Sequence, residues 1–128
     1  MNQEEQRIMD GSLWADFCDA LKATGEQVLR ESTPANVLDR AEGYRYLTRL
    51  LRLSLEKNIE FGDPRFPEFY SLSHATAKIG NDNPDNFYQN CAISGRYDYR
   101  IRGQRGGVPY LSIETKAGSY GSTGTMAP

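Results

Sequence analysis

The chain has 128 residues, of which 38% are hydrophobic, with 15 basic and 17 acidic side chains and a formal net charge of −2. Its mean hydropathy is −0.65. This is the length of one domain, with enough apolar side chains for a core, and no apolar run is long enough to cross a bilayer. The net charge offers no general attraction for nucleic acid. The polar N-terminus MNQEEQRIMDG lacks the basic and apolar parts of a secretory signal. Cys18 and Cys91 stand far apart with no CxxC pair, so buried, reduced thiols in a cytoplasmic protein are the expectation.

Residues 1–11 read as a flexible end. From Ser12, a plausible N-cap, Trp14, Phe17, Cys18, Leu21, Gly25 and Val28 recur at spacings of three and four, which predicts a helix over 12–31. Thr33-Pro34 restarts the chain with a capping residue and a proline at the first helical position, predicting a second helix over 34–58. On that helix Glu42, Arg45, Arg49, Arg52 and Glu56 form a narrow polar strip. Val37, Tyr44, Thr48, Leu51 and Leu55 lie opposite, with Tyr46, Leu47, Leu50 and Leu53 on the flanks. A helix so apolar needs cover on more than one side. Gly62-Asp63-Pro64 ends it, and 63–87 reads as a crossing segment pinned by Phe66, Phe69, Tyr70, Phe87 and Tyr88.

The period then changes to two. Residues 88–94, 97–102 and 110–115 alternate, separated by Gly95-Arg96 and by Gly103-Gln104-Arg105-Gly106-Gly107, which predicts an antiparallel β-meander over 88–115. Pro109 implies that the third strand starts late or lies at an edge. Residues 116–128 are rich in glycine, serine and threonine and read as a tail or linker.

The stretch GNDNPDNFYQN, Gly80 to Asn90, invites comparison with a calcium loop of about twelve residues. Starting at Asn81, the glycine of the template falls on Asn86 and its bidentate glutamate on Ala92, so the match fails where it is strictest, and no metal is expected. Clustered Asn and Asp more commonly build turns. As ligand-contact candidates, Asn83 and Asp85 line the mouth of a site and Arg100 and Arg102 clasp a small anion. Alternate strand residues lie about 7 Å apart, which suits two forked guanidinium groups. The plain reading of the arginines is a solvated strand face. His74, the sole histidine, has no carboxylate or nucleophile near it in sequence and reads as structural.

AEGYRYLTRLLRLSLE, DPRFPEF, GNDNPDNFY, ISGRYDYRIRG and LSIETKAGSYG together resemble the N-terminal region of an uncharacterised bacterial family. That family is typical of actinobacteria and of sphingomonads that degrade aromatics and steroids, and its members carry a domain of unknown function. The resemblance covers roughly two thirds of the chain. It implies a fragment, a truncated product or a short paralogue, a β-rich remainder, and an association with catabolism; it brings no catalytic residues.

The expectation is therefore α+β: an antiparallel helix pair packed on a β-meander, within a single domain over 12–115. The function expected is a non-catalytic interaction module that packs on a missing C-terminal domain or on a second copy as a homo-oligomer. The alternative is part of an enzyme for a small organic acid or hydrophobic catabolite. No cofactor, nucleic acid or membrane partner is expected.

Overall fold

In the computed structural model, residues 1–80 and 83–118 are described. They fall into two compact units, Met1–Tyr97 and Asp98–Pro128. Regular structure is helical: α1 spans Gln3–Met9, α2 Ser12–Gly25 and α3 Val37–Leu55. A 3₁₀ turn over Glu26–Leu29 follows α2, and a π turn over Glu56–Glu60 follows α3.

The first eleven residues hold α1 because Asn2 and Glu5 form a capping box. The Asn2 side chain accepts from the Glu5 N–H at 2.8 Å, and the Glu5 carboxylate accepts from the Asn2 N–H at 2.8 Å. Ser12 is not a cap. It is the first residue of α2, preceded by Gly11 at φ 78°, and its N–H donates to Asp10 Oδ1 at 2.9 Å. That bond is the main reason the Asp10 carboxyl lies below its usual range. Arg7 and Asp16 join α1 to α2 at 2.6 Å.

α3 starts later than Thr33-Pro34 suggests. Asn36 is extended (φ −118°, ψ 161°), and its side-chain oxygen accepts from the Asp39 N–H at 3.0 Å. A good cap outcompetes the upstream signal. Thr33 serves the preceding turn instead, donating its N–H to Arg30 O at 2.9 Å. The antiparallel helix pair is also corrected: α3 is met mainly by the 3₁₀ turn after α2 rather than by α2 along its length. The contact is close. A Cβ on Gly43 of α3 would stand 2.9 Å from Val28 Cγ1, so only a residue without one lets Val28 seat there.

α3 ends in the π turn, where the Phe61 N–H donates to Glu56 O at 2.9 Å. The chain then turns at Asp63, whose carboxylate takes both Nε (3.0 Å) and Nη2 (2.6 Å) of Arg65. That fork holds the Asp63 carboxyl at about 2. The crossing segment is fastened more by polar contacts than by its rings. Phe61 stacks on Tyr70 at 4.9 Å, but Phe66, Phe69, Phe87 and Tyr88 remain exposed. The Gly80 N–H donates to the Tyr46 hydroxyl at 3.2 Å, tying the segment to α3.

The β-meander over 88–115 is absent, and the class is helical rather than α+β. Among the described residues there is no strand; Tyr70 pairs with Asn90 and His74 with Ala77 as isolated bridges. Alternation is a side-chain pattern; a ladder also needs partners, and a hairpin alone is marginal in water. Of the expected turns, the one at Gly95-Arg96 forms, with the Tyr97 N–H donating to Ser94 O at 3.1 Å. At the second, Arg105 Nε donates to Val108 O at 3.0 Å and its Nη2 to Pro109 O. Carbonyls that a strand would offer to a neighbour are thus taken by a side chain.

Few side chains are buried. Among the described residues the buried hydrophobics are Val28, Leu53 and Ala77, all in the unit 1–97. Val37, Leu38, Trp14 and Ile59 are exposed. In the second unit nothing described is buried, and Tyr99 alone among residues 98–118 is half-buried.

Candidate functional site

Two concave features lie in the unit 1–97. The first is a groove of about 400 Å³ lined by Ile8, Leu13, Trp14, Phe17, Leu55 and Ile59, with Gly11 at its edge. It gathers residues from α1, α2 and the end of α3, and its lining is almost wholly apolar. Trp14 is 70% exposed, with Phe17 tilted against it at 5.5 Å.

The second is a pocket of about 340 Å³ lined by Glu56, Phe61, Phe69, Tyr70, Ser71 and His74. It forms where the segment after the π turn folds back over the end of the α3 polar strip. Arg52 and Glu56 sit four apart on one helical face, and Arg52 Nε donates to Glu56 Oε1 at 3.1 Å. The other carboxylate oxygen, Oε2, meets His74 Nε2 at 3.1 Å, across 18 residues of sequence. His74 Nδ1 lies 3.4 Å from Thr76 Oγ1, which accepts from Arg52 Nη1 at 2.9 Å. Four side chains thus close a ring. A carboxylate only accepts, so Nε2 carries a proton; in the neutral imidazole Nδ1 is then the acceptor for the Thr76 hydroxyl. The His74–Ala77 bridge closes the turn that aims the ring, with Ala77 N–H on His74 O at 3.0 Å.

Tyr70, one wall of this pocket, pairs with Asn90 through both backbone bonds, at 2.9 and 2.8 Å. Burial, and secondarily the neighbouring Cys91, push the Tyr70 phenol up; burial pushes the Cys91 thiol up as well. Cys18, in contrast, is exposed.

The residues singled out from sequence fall elsewhere. Asn83 and Asp85 come together in a turn, where the Asp85 N–H donates to Asn83 Oδ1 at 3.1 Å and the Asn86 N–H to Asn83 O at 3.3 Å. Asn81, the first position of the calcium-loop comparison, lies outside the described residues, as do 119–128 of the tail. Arg100 and Arg102 belong to the other unit and are exposed, with no ion pair among the described residues. No group of three or more metal-ligating side chains occurs among the described residues, and no helix there is long and apolar enough to cross a membrane. Sequence reasoning missed the partnership of His74 with Glu56. The available signal was the Arg52–Glu56 pair ending the polar strip; the fold-back that delivers His74 to it has no local signature.

No family model and no curated protein matches the chain. A solved structure does: the crystal structure of an uncharacterised protein from Burkholderia cenocepacia, at 55% sequence identity and a TM-score of 0.66. This chain is similar to an uncharacterised bacterial protein. The match takes in 71% of this chain and 25% of that one, so the chain spans about a quarter of the length of the protein it matches.

Proposed function

We propose that the chain is a non-catalytic helical module that packs against a further body, either the remainder of a longer protein or a second copy of itself. The observation that carries this reading is the thin core: Val28, Leu53 and Ala77 are the buried hydrophobics among the described residues, beside an apolar groove with Trp14 70% exposed. An apolar face of this kind on a folded chain usually marks an interface. Similarity to part of a protein nearly three times as long supports a module over a self-sufficient enzyme. A β-rich partner body and a link to catabolism rest on the sequence resemblance alone.

Sedimentation equilibrium over a concentration series, together with binding of a hydrophobic dye, tests the proposal. The expected result is a mass rising above 14.4 kDa with concentration, or strong dye binding by the monomer. A concentration-independent monomer that binds no dye and melts cooperatively overturns it.

A further inference from the structure

We propose that the pocket bounded by Glu56, Phe61, Phe69, Tyr70, Ser71 and His74 is a binding site for a small, neutral, planar molecule that carries a hydroxyl donor on an aromatic ring. The walls supply the planar preference. Phe61 and Tyr70 stack nearly parallel, 8° apart, and present aromatic surface beside Phe69, which is 53% exposed. A flat ring laid on such surface gains from offset or edge contact with the rings already there.

The polar edge selects the donor. The Glu56 carboxylate offers about four lone-pair directions, of which Arg52 Nε and His74 Nε2 use two. Ser71 spends its hydroxyl proton on Tyr88 O at 3.4 Å, so its oxygen also faces a ligand as an acceptor. Both His74 nitrogens are already engaged, with Glu56 and with Thr76. The Tyr70 phenol is the remaining side-chain donor in the lining, set against acceptors on Glu56 and Ser71, so acceptors outnumber donors and a ligand that brings its own proton is favoured. Charge narrows the class further. An anion meets the Glu56 carboxylate, and like charges at contact distance repel. An ammonium group gains little from the carboxylate, because Arg52, 3.1 Å away, already balances its charge. A neutral hydroxyl avoids the repulsion and makes a charge-assisted bond.

The probes that separate these outcomes are phenol, benzoate and benzylamine, with binding read by saturation transfer to the small molecule. Phenol is expected to bind with a dissociation constant of about a millimolar, fitting a few-atom ligand in an open pocket. Benzoate and benzylamine are expected to bind at least about tenfold more weakly. Glu56→Gln replaces a charged acceptor by a neutral one and is expected to weaken phenol about tenfold. Should Glu56→Gln lose its helical spectrum, Phe69→Ala removes an exposed wall without touching the ring of polar contacts and is expected to weaken phenol as well. Absence of saturation transfer to phenol overturns the proposal. So does benzoate binding as well as phenol, or a folded Phe69→Ala variant binding like the parent.

Discussion

At the scale of single residues, the two cysteines make opposite use of the same chemistry. Cys18 stands exposed on α2, whereas Cys91 is half-buried next to Tyr70 and burial raises its pKa above the ordinary 9.0. The thiolate is the nucleophile, so raising the pKa slows alkylation. Limiting iodoacetamide at pH 8 should label Cys18 first, with peptide mass spectrometry as the readout; equal labelling would remove Cys91 from its shielded position. The same shift has a stability consequence. A folded-state pKa above the unfolded one favours the neutral form, so its contribution is complete below pH 9 and is lost as pH rises through the folded value. Tyr70, raised from 10.0, adds to the loss at higher pH. Cys91→Ser should therefore flatten the first part of the alkaline decline in melting temperature.

At the scale of elements, the end of α3 matters most, because its π turn carries Glu56 and starts the fold-back that brings His74 to it. Gly62 lies two residues past the end of that turn. A Cβ there would lie 2.3 Å from the Asn58 carbonyl oxygen, a backbone atom with no room to retreat. Gly62→Ala should cost about 1–3 kcal/mol, the usual cost of forced overpacking, seen as a lowered urea midpoint; an unchanged midpoint would mean that the turn relaxes freely. Much of the helical content was legible in sequence. Apolar residues at three- and four-residue spacing marked α2 and α3, and Gly62-Asp63-Pro64 marked the stop. The caps were less legible, since Thr33, Ser12 and Asn36 carry similar signals and only packing chooses among them. The meander was misread for a different reason. Tyr97, Tyr99 and Ile101 alternate as a strand does, but alternation records which faces differ and not whether a neighbouring strand exists. Of the Glu56–His74 pocket only the Arg52–Glu56 pair was legible, because its two halves lie 18 residues apart and meet through a turn set by backbone contacts.

At the scale of the molecule, the small core sets how much any one side chain matters. Leu53, at 2% exposure, is one of the few buried hydrophobics among the described residues, and truncating a buried leucine costs about 2–5 kcal/mol. Whole domains are stable by only about 5–15 kcal/mol. Leu53→Ala should therefore remove a large fraction of the stability and lower the urea midpoint followed by circular dichroism, and a transition retained at the parental midpoint would point to a larger core than Val28, Leu53 and Ala77. A partner seated on the groove would offset part of that loss, because whatever binds only the folded chain stabilises it by mass action. The groove and the pocket also differ in a way that is convenient at the bench. The sequence has a single tryptophan and a single histidine, the former in the groove and the latter at the pocket. Indole emission and imidazole proton resonances are thus unmixed reporters, and occupancy of each cavity can be followed in the unmodified chain without attaching a label to either.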